Sequence, residues 1–307
     1  VCLDYNEEIV AGKDNGAKKI ATLLNERGIH FDSILDEGGG STDVHAKNIL
    51  DAHITMVGIA EKGYADYEIT VKELGGHSSF PPKHTALGQL SELITKIENH
   101  PFEAHFTTPV LAMFSTIGNH MSSPLGGLLK HPGVLKPVLK NVMGKNPFTA
   151  AMVRTSTAVT MASASPAPNV LPEAATCVIN FRLLQGDTLA SVKKHLEVLA
   201  KNYDATITLL KGKEASAVSP TDTRSFHTIE DIFADGCETS FTTPYLLTAC
   251  TDSYHYECIC ENLYRFSPFS LPSELMHTPH STNERFPVDQ ITPGVSFFMQ
   301  YIRRMNA

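Results

Sequence analysis

The hydrophobic pattern of this 307-residue chain changes character at Lys62-Gly63 and changes back near Gly212, so one folding unit has to be built inside another. Before the first switch the pattern is helix, strand, loop, strand. Asn15 or Asp14 can cap a helix in which Ala17, Ile20, Ala21 and Leu24 fall at i, i+3, i+4 and i+7, and Gly28 ends it. Phe31 to Leu35 and Ile54 to Ala60 follow as strands. Between the switches, Tyr67 to Val71 alternates as a strand, Ala86 to about Glu98 is helical, and Pro132, Pro137 and Pro147 divide a Met- and Leu-rich stretch into short helices. Strands Ser156 to Ala162 and Ala175 to Leu183, a helix capped by Thr188 and a strand Thr206 to Leu210 complete that part. After Gly212 come a helix Ser225 to Asp235, strands Tyr245 to Ala249 and Asn262 to Phe266, and a last helix Gln290 to Arg304. The expected organisation is an α/β domain with an open mixed sheet, residues 1–62 and 213–307, interrupted by an α+β sandwich at 63–212.

Composition excludes several partners. The net charge is −8 with no basic cluster, which argues against nucleic acid. No run of about 18 apolar residues exists, so nothing is expected to span a membrane, and no membrane partner is expected. The six cysteines are scattered without a CxxC, which suits a reduced compartment and a cytoplasmic location. Cys258 and Cys260 read as alternate residues of one strand rather than as a metal pair.

Four short stretches carry residue types suited to chemistry. In Asn6-Glu7-Glu8, two adjacent carboxylates close an apolar run; one can bind a cation while the other takes a proton from bound water, although a solvated face would look the same. In Asp36-Glu37-Gly38-Gly39, an acid at the carboxyl end of a strand stands where open α/β sheets place ligands, with glycines allowing a tight turn. In Leu74-Gly75-Gly76-His77-Ser78-Ser79-Phe80-Pro81-Pro82, a loop fixed by glycine and proline presents one titratable ring. In His280-Ser281-Thr282-Asn283-Glu284-Arg285, His280 is a candidate ligand through neutral imidazole, with His277 a weaker one.

In order and spacing, these stretches resemble the dinuclear zinc hydrolases that include carboxypeptidase S, aminoacylase, glutamate carboxypeptidase and succinyl-diaminopimelate desuccinylase. The carboxypeptidase S branch is the nearest. The resemblance extends to Asn169-Val170-Leu171-Pro172, Phe181-Arg182-Leu183-Leu184-Gln185-Gly186-Asp187, Thr251-Asp252-Ser253 with His255, and Tyr264-Arg265-Phe266-Ser267-Pro268. It implies that Glu7 is the general base, that Glu8, Asp36 and His280 bind zinc, and that His77 stabilises the oxyanion, often across a dimer interface. It further implies that Asn169 and Arg182 hold the substrate's carboxylate or carbonyl. A homodimer through the inserted lid domain and two zinc ions in the full-length protein follow from the same resemblance.

The resemblance also marks departures. The family's His-x-Asp motif and its metal-bridging Asp lie upstream of the Glu pair, and only Val1 to Tyr5 precede Asn6-Glu7-Glu8 here. The catalytic domain is therefore expected to be N-terminally truncated, with metal weak or absent in this chain, because a zinc site wants at least three protein donors. Asn6 stands for the usual Asp, Tyr254 for an Arg of the nearest branch, and Gln185 for a Pro. Three functions remain open. The first is a metallo-exopeptidase acting on a dipeptide or short peptide. The second is an amidohydrolase of N-acyl amino acids, with the apolar insert near Phe106 to Met152 lining an acyl site. The third is a non-catalytic dimerising protein with a lost metal site.

Overall fold

The computed structural model describes residues 15–235, 239–270, 272, 275, 278 and 281–307. In chain order the elements begin with α1 (Gly16–Glu26), β1 (Ile34–Asp36), β2 (Gly40–Ala46), β3 (Leu50–Glu61), β4 (Gly63–Lys72) and β5 (Gly76–His77). There follow α2 (Ala86–Asn99), α3 (Thr108–His120), α4 (Pro124–Leu129), α5 (Lys136–Met143), α6 (Pro147–Val153), β6 (Ser156–Ser163), β7 (Val170–Leu171) and β8 (Ala174–Leu183). The chain closes with α7 (Leu189–Ala200), β9 (Ala205–Lys213), α8 (Arg224–Ala234), β10 (Ser240–Leu247), β11 (Leu263–Arg265) and α9 (Ile291–Met305). These elements form two compact units. Unit 1 holds the described residues up to Glu61, Phe106–Asn141, and those from Ala217 on; unit 2 holds Lys62–His105 and Val142–Ser216. The segment 106–141, read from sequence as part of the insert, thus packs within unit 1.

Unit 1 is built on a mixed sheet of order β1-β11-β3-β10, with β2 also paired to β3. β1 runs parallel to β11 and β10 parallel to β3, while β11 and β2 are antiparallel to β3. This is the open mixed sheet expected for the α/β class. Alternation along β3 gives the sheet two apolar faces. Val57 and Ile59 pack with Phe226 and Ile229 of α8 and Phe297 of α9. Leu50, Ala52 and Ile54 face the other way, against Phe241, with Ile117 and Met121 packed on them. The tail of α3 therefore covers sheet, and its His120 ring stacks on Phe241 at 3.9 Å. Burial lowers the pKa of that imidazole. Pro244 sits within β10, the edge of this strand order, where a missing donor is tolerated.

The hairpin β2–β3 is polar on one side. Asp43 pairs with His53 and His45 with Asp51 directly across the ladder, with ring nitrogen to carboxylate distances of 2.8 and 2.7 Å. The hydrogen bond that the Asp51 carboxylate accepts, and then its charge, raise the His45 pKa above 6.5. A raised folded-state value means that the pair's contribution is present in acid and fades as pH rises through that value. The expected result is an imidazole NMR titration for His45 above the ordinary histidine value, returned to it by Asp51→Asn. A His45 titration indifferent to that substitution would discard the pairing.

Unit 2 is a two-layer α+β sandwich. Its antiparallel sheet has the order β6-β8-β4-β9. Ala65, Tyr67, Ile69 and Val71 of β4 and Ala175, Cys177, Ile179, Phe181 and Leu183 of β8 point to one face. There they meet Leu90, Leu93 and Ile97 of α2 and Val192, Leu196 and Leu199 of α7. Thr188 opens α7 with a capping box to Ser191. Lys62, fully buried at the start of this unit, donates to the carbonyls of Ala151 and Arg154 at 2.9 and 2.8 Å. The proline-containing stretch is divided into short helices, as expected, with Pro137 and Pro147 in the first turns of α5 and α6, where proline's missing N–H costs nothing. Cys258 ends a 3-10 turn, Asp252–Cys258, and is exposed, whereas Cys260 is buried. The two are therefore not alternate positions of one strand.

Candidate active site

Asp36 is the last residue of β1, in register with Arg265 of the parallel β11. Its carboxylate is half-buried, and its Oδ1 accepts the Glu37 N–H at 2.9 Å. The chain must leave this strand end abruptly. Gly39, at φ +60°, is the position where no side chain fits: a Cβ there would lie 2.2 Å from the Met56 carbonyl oxygen and 2.8 Å from that of Arg265. The glycine-rich turn so holds the carboxylate at the carboxyl end of a parallel strand, where ligands bind in open α/β sheets. Asp36 suits a cation by its chemistry and its placement. Among the described residues, however, no three His, Cys, Asp or Glu side chains converge as a metal site would require. Glu7, Glu8, His280 and His277 lie outside the described residues.

In unit 2, His77 and Asn169 are brought side by side. β5 pairs with β7 antiparallel, His77 opposite Val170, and the Ser78 N–H donates to the Asn169 carbonyl at 3.2 Å. Gly75 makes this possible, since a Cβ there would meet the Glu173 side chain at 2.5 Å. The Ser79 N–H donates to Nδ1 of His77 at 3.1 Å. Because Nδ1 is the acceptor, the proton of the neutral ring sits on Nε2, which makes Nε2–H a donor on an exposed loop.

Arg182 lies elsewhere in the same unit. It pairs with Tyr64 of β4 and Ser156 of β6, and its guanidinium sits 4.8 Å from the centre of the Tyr64 ring. The His77–Asn169 ladder leaves the sheet beyond the opposite end, where Lys72 pairs with Ala174. Eight residues of β8 separate Ala174 from Arg182, about 26 Å of strand. The motif around Arg182 also does structural work. Thr155 Oγ1 donates to the Asp187 carboxylate and accepts the Leu184 N–H at 2.9 Å, which fixes the turn into α7.

One further cluster in unit 1 joins residues that the resemblance marked without a role, Thr251-Asp252-Ser253, His255 and Arg265, to Glu61, which sequence reading passed over. Glu61 and Arg265 are both fully buried and form an ion pair, Nε to Oε2, at 3.3 Å. The same carboxylate oxygen accepts the Thr251 N–H at 3.1 Å and the Thr251 hydroxyl at 2.8 Å, and that hydroxyl is 2.7 Å from Ser253 Oγ. Next to it, Asn15 Nδ2 donates to Asp252 Oδ1 at 2.9 Å, and the His255 Nε2 lies 3.8 Å from the same oxygen. The Tyr254 ring lies against that of His255, centroids 3.8 Å apart and tilted by 35°, and burial raises the pKa of its phenol. The available signal was the charge at Glu61, closing an otherwise apolar strand.

Comparison with known proteins places this geometry. Residues 59–208 match the M20 peptidase dimerisation domain. Across 100% of its length the chain is 30% identical to the N-fatty-acyl-amino acid synthase/hydrolase PM20D1 of Mus musculus, covering 61% of that protein. Across 99% it is 30% identical to carboxypeptidase S of Saccharomyces cerevisiae, covering 59% of it. The chain thus spans about three-fifths of the length of these relatives. The M20 family metallo-carboxypeptidase Sso-CP2 of Sulfolobus solfataricus shares its fold, with a TM-score of 0.62 at 13% identity over 97% of this chain and 68% of that one. In its dimerisation-domain match, its mixed sheet and its relatives along the whole sequence, the chain is similar to the M20 peptidases.

Proposed function

We propose that this chain serves a metal-dependent hydrolase that cleaves an amide or peptide bond next to a free carboxylate, of the carboxypeptidase or dipeptidase kind. The observation that carries the reading is the His77–Asn169 ladder, which joins the backbones of the two motifs and presents the His77 ring N–H on the exposed loop. Such a donor can stabilise a developing oxyanion and orient a carboxylate. Arg182 would grip the substrate's carboxylate with two parallel hydrogen bonds, for which its planar fork is suited. Glu7 would take a proton from the attacking water and deliver it to the leaving nitrogen. Zinc held by Glu8, Asp36 and His280 would supply Lewis acidity toward that water and the carbonyl.

The separation of Arg182 from His77 and Asn169 supports a homodimer. One copy cannot bring both ends of its own sheet to one scissile bond. Two copies joined through unit 2 can, with His77 and Asn169 of one serving the site of the other.

A second reading, hydrolysis of N-acyl amino acids, has its own support. Beside Asn169 runs an open groove of about 670 Å³ lined by Ala162, Ala164, Pro166, Pro168, Val170 and Leu171. Its apolar walls suit an acyl chain. The stretch near Phe106 does not contribute this lining, since α3 is packed on the unit 1 sheet.

The test is hydrolysis of dipeptides and N-acyl amino acids by the zinc-supplemented protein, with Glu7→Gln as control. The proposed base predicts a loss of about 10²–10⁴-fold in that variant. Turnover only of long-chain acyl amino acids would select the second reading. No turnover of either class by zinc-loaded protein would leave a non-catalytic dimerising protein as the better account.

A further inference from the structure

The last helix of unit 1 is apolar over more of its circumference than the unit covers. At 3.6 residues per turn, Ile291, Val295, Phe298, Met299 and Ile302 of α9 fall within an arc of about 100°. Each of these side chains is between 41% and 55% exposed. The arc that packs on the unit, Gly294, Phe297 and Tyr301, adjoins this stripe with no polar residue between them. Thr292, Ser296, Gln300 and Arg303 share the opposite side. The two arcs join into one apolar surface of about 200°, the pattern of a helix inside a domain and not of one lying on it. Ring contacts run the same way. Phe297 meets Phe266 and Phe233 at 5.3 and 5.6 Å on its buried side, and Phe298 at 5.3 Å on the open side.

Five large apolar side chains left open together mark a surface that something covers. Continuity selects what covers it. An interface between separate molecules is ringed by polar side chains, whereas this stripe runs into the core of its own unit. The covering element is therefore expected to belong to the same domain. Material for it exists in polypeptides of this kind: the chain spans 61% and 59% of two relatives, so about two-fifths of each lies outside the matched stretch. The shape of the stripe selects the element. From Ile291 to Ile302 it is about 17 Å long and narrow, the contact that one helix makes when laid alongside another at 8–10 Å.

We propose that α9 is an interior helix of unit 1 in the full-length polypeptide, its open stripe covered by an amphipathic helix of about three turns from outside these 307 residues. The proposal is independent of the hydrolase reading. Its test is thiol labelling of the native full-length protein carrying Val295→Cys, Ile302→Cys or Ser296→Cys, read by peptide mass spectrometry. Ser296 is exposed on the polar side of the same helix and serves as the open control. The thiols introduced at 295 and 302 are expected to react roughly a hundredfold more slowly than the one at 296. Equal reactivity at the three positions overturns the proposal, and so does a gene with no coding sequence in frame beyond these residues. Val295→Asp distinguishes the other occupant, a second copy. In the full-length protein this variant is expected to lower the melting temperature by roughly 10 °C with the mass in solution unchanged. An unchanged melt overturns the proposal. A fall in mass, whatever the melt, assigns the stripe to a second copy and overturns it as well.

Discussion

Replacing Arg265 by alanine is expected to destabilise unit 1 by about 3–5 kcal/mol, the cost typical of removing one partner from a buried ion pair. Both side chains of the Glu61–Arg265 pair are fully buried, so solvent cannot take over the role of the lost guanidinium. Glu61 would keep its two contacts to Thr251, but these come from neutral donors, and a carboxylate without its cation is costly in that setting. Arg265 also donates through Nη1 to the Leu263 carbonyl at 3.1 Å, and its Cδ, which alanine lacks, lies 3.6 Å from where a Gly58 side chain would begin. The variant therefore also opens space beside β3. The check is thermal or urea unfolding followed in the folded protein, where a drop of roughly 10 °C is expected for a unit of this size. The double variant Glu61→Leu with Arg265→Met separates charge from packing, because apolar replacement of a whole buried pair is often close to neutral. Arg265→Ala within half a kcal/mol of the parent would show that the pair contributes nothing net.

That pair illustrates what the sequence could and could not convey. Helices α1, α2 and α7 were legible because local signals agree: Asn15 accepts the Lys18 N–H, Thr85 that of Gly88, and Thr188 that of Ser191, each just ahead of a periodic apolar face. β2 was passed over because its outward positions, Asp43 and His45, are polar and find partners only across the ladder, in His53 and Asp51. The packing of Phe106–Asn141 within unit 1 was hidden for a related reason. Ile117 and Met121 are ordinary apolar residues in sequence, and only their distant partners Leu50, Ala52, Ile54 and Phe241 assign them to a sheet. Within the candidate site, Asp36 could be read from an acid followed by glycines at a strand end. The joining of His77 to Asn169 could not, since β5 and β7 are two residues each, too short for any periodicity to register. The distance between that ladder and Arg182 depends on strand register, which is a tertiary property.

The same register yields a mixing experiment. His77→Ala and Arg182→Ala are each expected to lower kcat/KM by about a hundredfold or more, the usual effect of removing an oxyanion donor or a positioning clamp. If His77 of one copy completes the site that contains Arg182 of the other, a dimer of one variant with the other has one site lacking both residues and one site with both intact. Random pairing makes half of the dimers mixed, with one working site in two, so co-refolded variants should regain about a quarter of the parent activity. If both residues act within one copy, every site in the mixture lacks one of them, and activity stays at the level of the single variants. The geometry favours the first outcome, because about 26 Å of β8 lies between Arg182 and the end of the sheet from which the His77 ladder departs. Solution mass of the mixture guards the result: recovered activity must track the mixed dimer, and mixed dimers without recovery would place His77 and Arg182 in the site of one and the same copy.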